Sequence, residues 1–107
     1  MTNKETKKET KGYNINRFSV SGHLSNDPVL LIDKDTITKV ALTVASNNGN
    51  ATNFIQGIAW NSLAKTIAIY YKKGDLVFIE GHIQTGSYVK DDNKVYTQEL
   101  VIDLINK

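Results

Sequence analysis

The chain has 107 residues, 40% of them hydrophobic and 22% charged, with two histidines and no cysteine. That length suits one domain with a modest core, and the lack of cysteine excludes a disulfide framework and any thiolate metal site. The formal charge of +2 belongs to residues 1–12, where four lysines outnumber two glutamates; the nine basic residues that follow are matched by nine acidic ones, so charge alone carries no nucleic-acid signal beyond the tail.

Residues 1–12 are too polar to repay the entropy of ordering, and their repeated KET unit is low in complexity, so a disordered charged tail is expected there and a folded domain over 13–107. They hold no apolar h-region and no long apolar run follows, which argues against a secretory signal and a membrane span and for a cytoplasmic protein. From Asn16 to Leu24 the pattern alternates, with Phe18, Val20, Gly22 and Leu24 on one face and Arg17, Ser19, Ser21 and His23 on the other. This predicts the first strand. Asn26-Asp27-Pro28 marks a turn, Val29 to Ile32 is a short apolar run, and Asp33-Lys34-Asp35 makes a polar tip. The second strand follows, Val40, Leu42 and Val44 alternating with Lys39, Ala41, Thr43 and Ala45. Ser46 to Thr52 reads as a mobile loop.

Asn53 to Trp60, rich in β-branched and aromatic residues, predicts a third strand. Asn61 or Ser62 offers an N-cap, Leu63, Ile67 and Tyr70 or Tyr71 recur at helical spacing, and Lys72-Lys73-Gly74 suits a C-terminus, so a helix is predicted up to Lys73. From Asp75 the period changes to two, with Val77, Ile79, Gly81 and Ile83 predicted inward and Phe78, Glu80, His82 and Gln84 outward. Lys90 to Lys94 makes a polar connection to a last strand whose apolar positions are Tyr96, Leu100, Ile102 and Leu104. Five strands with one helix between the third and fourth suit an all-β chain folded as the five-stranded Greek-key barrel called the OB-fold. A helix packed on an ordinary antiparallel sheet is the alternative.

Catalysis finds little support. His23 and His82 stand far apart, with no nucleophile elbow, metal-ligand motif or phosphate loop, so no enzyme, metal or cofactor is expected and His82 reads as a surface histidine. The aromatic residues are more informative. Phe54, Gln56, Ile58 and Trp60 share one face of the third strand, opposed by Asn53, Ile55, Gly57 and Ala59; by period alone the face with the large side chains is the core. Against this, Phe78 and Tyr88 fall among polar residues on the outer face of the fourth strand. Exposed aromatics suit base stacking, which is worth about 1–3 kcal/mol per base and is indifferent to sequence.

FIQGIAWNSLAK, then YYKKGDLVFIEGHIQT, with NRFSVSGHL, Asp27-Pro28 and ALTVAS before them and Tyr88 and Tyr96-Thr97 after, resembles the bacterial and phage single-stranded DNA-binding protein family over about residues 14–105. The resemblance implies an OB-fold that assembles as a homo-oligomer, usually a tetramer, and wraps single-stranded DNA without sequence preference. It places Phe54, Trp60 and Tyr88 at stacking positions and Arg17 and Lys73 at basic ones. Gln56, Gln84 and Phe78 complete the expected nucleic-acid-binding set by sharing those faces. This sequence departs from the family pattern in lacking an aromatic residue at Asn48-Gly49-Asn50, in having Gln56, Ser62, Gln84 and Gly86 where basic side chains are common, and in ending at Lys107 without a long acidic-tipped extension. The function expected is non-enzymatic single-stranded DNA binding in replication, recombination or repair, in a phage, plasmid or other mobile element. An OB-fold adaptor of a replication or primosome complex, working through protein contacts, is the alternative, and an oligosaccharide-binding or toxin-like module ranks last.

Overall fold

Alternation decides the faces of the first strand. In the computed structural model, which describes residues 12–107, β1 (Phe18–Leu24) turns Phe18, Val20, Gly22 and Leu24 inward and leaves Ser19, Ser21 and His23 in solvent. The tail expected over residues 1–12 lies, but for Gly12, outside the described residues. The chain continues through β2 (Val29–Asp33), β3 (Thr36–Asn48), β4 (Ala51–Trp60), α1 (Asn61–Tyr70), β5 (Leu76–Lys90) and β6 (Asn93–Asn106).

The sheet runs β1-β5-β6-β4-β3-β2, and a further β1–β3 pairing at His23 and Leu24 brings it back on itself. Five strands therefore close a barrel and β2 hangs from β3 as a hairpin. Neighbours are antiparallel except β4 and β6, which meet in parallel at Ile58 and Val101. The predicted five-stranded barrel is present, and α1 lies between its third and fourth strands. The apolar run at Val29 adds a sixth strand, exposed along its whole length.

Val40, Leu42, Val44, Val77 and Ile79 fill the barrel, each at most 2% exposed, and α1 closes one end with Ala64 and Ile67. Each such aliphatic side chain contributes about 1.5–3 kcal/mol on leaving water.

The helix ends sooner than its sequence predicts. Tyr71 already has extended dihedrals, and the backbone N–H groups that would have continued the helix are bound elsewhere: Lys72 N–H donates to Asp75 Oδ2 at 2.9 Å, Lys73 N–H to Asp27 Oδ1 at 2.8 Å, and Gly74 N–H to the Leu24 carbonyl at 2.8 Å. Gly74 keeps a positive φ of 93°, in this turn rather than as a helix C′ residue. Neither Asn61 nor Ser62 caps the N-terminus; Trp60 occupies the N-cap position without a side-chain hydrogen bond, and Asn61 sits in the first turn at φ 55°.

The expected loop at Ser46 to Thr52 is mostly strand. Asn48 pairs with Ala51 across a two-residue turn of Gly49, at φ 65°, and Asn50, and Thr52 Oγ1 donates to Asn47 Oδ1 at 2.8 Å across the hairpin. Glycine suits the first position of such a turn because the backbone there requires a positive φ.

A bulge changes the last strand. Glu80 pairs with Leu104 but Gly81 with Ile102, so Asp103 is the extra residue on β6 and the side chains beyond it exchange faces. Val101, Ile102 and Ile105 are buried, while Leu104, two residues after Ile102, is 43% exposed. Ile83, predicted inward, is 40% exposed, because β1 pairs with β5 only as far as Gly81 and the rest of β5 runs out with β6 as a two-stranded ribbon. Tyr96, one of the apolar positions of the last strand, lies on that ribbon and is exposed.

Candidate nucleic-acid interface

The β3–β4 hairpin determines which side chains meet on the outside of the barrel. Its register sets Lys39 opposite Trp60, Ala41 opposite Ile58, Thr43 opposite Gln56 and Ala45 opposite Phe54. Period alone makes the large side chains of this strand core; the structure reverses that for Phe54 and Trp60, which are 67% and 44% exposed. The reason is space. An added Cβ at Gly57 would lie 2.8 Å from Ile102 Cδ1, so the interior at this level admits only small residues, and Gly57 and Ala59 take the inward positions. Ile58 is the one member of the outer row that is buried, against the neighbouring strand β6.

Between β4 and β6 lies an open groove of about 340 Å³, with Phe54, Gln56 and Ile58 on one side and Glu99 and Leu100 on the other. Gln84, on β5, is the register partner of Glu99 and so continues that side of the sheet beyond the groove. Phe54, Gln56, Trp60 and Gln84 are thus brought onto one continuous outer surface. The row through Phe54 continues across Ala45 to His23 and then to Leu76, so the face wraps around four strands.

The remaining sequence-predicted residues lie apart. Tyr88 is half exposed and opposite Val95 on the ribbon, and Phe78, at the other end of β5, is opposite Ser21 and Asn106. The two are ten residues apart, about 33 Å along an extended strand, so they share a face without sharing a site. Arg17 is exposed just before β1, and Lys73 sits in the turn after α1 with its backbone tied to Asp27.

Two residues that the sequence did not single out occupy the middle of this surface. The Lys39 ammonium lies 5.0 Å from the centroid of the Trp60 ring and 3.9 Å from Glu99 Oε2. The signal for Lys39 was the two-residue turn: counting back from Asn48 and Ala51 puts it opposite Trp60.

His82 lies on the surface as expected, its Nδ1 2.8 Å from Oδ2 of the bulged Asp103. Among the described residues no group of three or more His, Asp or Glu side chains has the arrangement of a metal site. Nor is any helix among the described residues long and apolar enough to cross a membrane. Asp75 has its carboxyl held below the usual range, first by the hydrogen bond from the Lys72 backbone and also by Lys107, whose Nζ is 3.5 Å away. That pair fastens Lys107 to the α1–β5 turn.

The model of the single-strand binding protein family matches residues 15–107. Similar curated proteins include the single-stranded DNA-binding protein of Malacoplasma penetrans, 38% identical over 95 residues and matched over 85% of this chain and 50% of its own length. That of Clostridium tetani is 35% identical, with 83% and 67% covered, and single-stranded DNA-binding protein 3 of Listeria innocua is 32% identical, with 85% and 62% covered. The chain spans about half to two-thirds of the length of these relatives. With its closed barrel, its helix in the expected place and a family match over nearly the whole described chain, the protein belongs to the single-strand binding protein family.

Proposed function

We propose that residues 13–107 form a non-enzymatic module that binds single-stranded DNA without sequence preference, in replication, recombination or repair. The observation that carries this is the exposure of Phe54 and Trp60 on one outer face of β4, which period and residue size would have buried. Planar side chains there supply stacking surfaces, and Gln56 and Gln84 supply neutral hydrogen-bonding groups. Tyr88 extends the path along the β5–β6 ribbon; Arg17, Lys73 and Phe78 serve a strand that passes around the barrel by way of β1.

A second copy of the chain completes the assembly. β1 is paired with β5 from Phe18 to His23, but β3 takes its other edge only at His23 and Leu24, so among the described residues no strand pairs with that edge from Phe18 to Gly22, where a partner strand can add. An adaptor acting through protein contacts is the competing reading, favoured by β2, where Val29, Leu30, Leu31 and Ile32 are all exposed.

One titration separates the two. The protein has a single tryptophan, so its emission reports Trp60 alone. Saturable quenching by oligo-dT, weakening as salt rises, supports DNA binding, whereas unchanged emission at low salt supports the adaptor.

A further inference from the structure

Glu99 places a carboxylate in the middle of the face proposed to receive a polyanion, between Gln56, which lines the same groove, and Gln84, its register partner. Lys39 is within ion-pair distance of it, and the same ammonium lies over the Trp60 ring. β4 runs between the strands that carry the two charges, so the Lys39 side chain crosses the strand of the stacking residues to reach Glu99. One cation thus occupies both features a nucleotide would use, the face of an indole and a positive charge.

We infer that Lys39 and Glu99 form a self-competing lid on Trp60. Glu99 stands in for a phosphate and holds the ammonium over the ring while the site is empty. An incoming nucleotide displaces it by offering two replacements together, a base for the indole face and a phosphate for the ammonium. Glu99 is then an affinity-setting residue that opposes binding, and it contributes to a shallow salt dependence because Lys39 is already neutralised before DNA arrives. The idea rests on the DNA-binding reading and adds to it a residue whose removal should improve the site.

An exposed pair of this kind is worth a few tenths to about 1 kcal/mol, so Glu99→Gln should bind oligo-dT roughly two- to fivefold more tightly and steepen the log K against log salt slope by about 0.7. Removing any acidic side chain near DNA relieves some repulsion, so the same substitution is also made on Lys39→Met, which keeps an apolar stem without the charge. A lid requires a larger gain with Lys39 present than with methionine there. The DNA-free measurement is acrylamide quenching of Trp60, which should rise in Glu99→Gln and in Lys39→Met, with melting temperatures near that of the wild type. Equal or smaller gain in the Lys39 background, or unchanged quenching in both variants, overturns the lid while leaving DNA binding in place. Wild-type protein that fails to bind oligo-dT at low salt overturns the binding reading and the inference with it.

Discussion

Asn16 and Ile83 exchange two hydrogen bonds: the Asn16 Nδ2 group donates to the Ile83 carbonyl at 2.8 Å, and the Ile83 N–H donates to Asn16 Oδ1 at 2.9 Å. Backbone pairing between β1 and β5 stops at Phe18 and Gly81, so this side chain carries the ladder further where the main chain has left the sheet. Asn16→Ala removes both bonds at an exposed site and should cost about 1 kcal/mol, lowering the melting temperature by roughly 4–8 °C. A melting temperature equal to that of the wild type would show that the strand end is held by other contacts.

Two glycines on β5 should respond oppositely to alanine. A Cβ at Gly81 would lie 1.8 Å from the Val101 carbonyl oxygen, at the bulge, where backbone must move to admit it; at Gly86 it would meet only Thr97 Oγ1, at 3.2 Å on the exposed ribbon. Gly81→Ala should lose more than about 3 kcal/mol or fail to fold, and Gly86→Ala should change stability by under about 0.5 kcal/mol because a hydroxyl rotor can turn away. Chemical denaturation of the two variants tests this, and comparable stabilities would mean that the bulge can relax.

The bulge also explains what the sequence could not disclose. Alternation identified β1, the middle of β3 and the start of β5, because each has one buried and one wet face. It cannot follow β6, since one extra residue at Asp103 puts Leu104 on the face opposite Ile102 without any mark in composition. It failed on β4 for a different reason: the small residues Gly57 and Ala59 face the interior, where a Cβ at Gly57 would already crowd Ile102, so size rather than hydropathy sorts the strand. Helix length was overestimated because the competing acceptors, Asp27 and Asp75, act through tertiary contact and a turn rather than helical spacing. Lys39 was legible through the register implied by Gly49-Asn50, but only to a reading that treated those residues as a hairpin turn.

The free edge of β1 should make the protein self-associate. A stretch from Phe18 to Gly22 with no strand on its second edge among the described residues offers main-chain donors and acceptors to a second copy, and a chain of 107 residues gains from the added buried area. Sedimentation at micromolar concentration should show a dimer or tetramer. A monomer across that range would rule out strand pairing as a stable contact.

Asp75 should make stability fall in acid. Its folded-state pKa is lowered from the ordinary 3.8, mainly by the Lys72 backbone hydrogen bond and then by Lys107. A depressed carboxylate stabilises the fold fully above its unfolded pKa and loses that contribution as pH drops through the folded value. Asp75→Asn should therefore melt below the wild type at neutral pH, and the gap should close as pH falls below about 3.8. A gap that is constant with pH would assign the effect to packing rather than to charge.

Binding should rest on stacking more than on charge. Beyond residue 12 acidic and basic residues are equal in number, and Gln56 on the groove and Gln84 beside Glu99 are neutral, so few phosphates can be matched and the log K against log salt slope should be shallow at about −0.7 per contact. The aromatics then carry the affinity. Phe54→Ala should weaken oligo-dT binding by about 1–3 kcal/mol with the melting temperature unchanged, since at 67% exposure Phe54 has little core contact to lose. Trp60→Ala should weaken binding by a similar amount but also lower stability, because Trp60 is more than half buried and Lys39 lies over its ring. Tyr88→Ala defines how far the path reaches: it lies on the ribbon, clear of the barrel core, so a loss of affinity at constant melting temperature places DNA along β5. Unchanged affinity would confine the strand to the β3–β4 face. A lowered melting temperature with unchanged affinity would instead make Tyr88 a structural residue of the hairpin, and stacking would then rest on Phe54 and Trp60 alone.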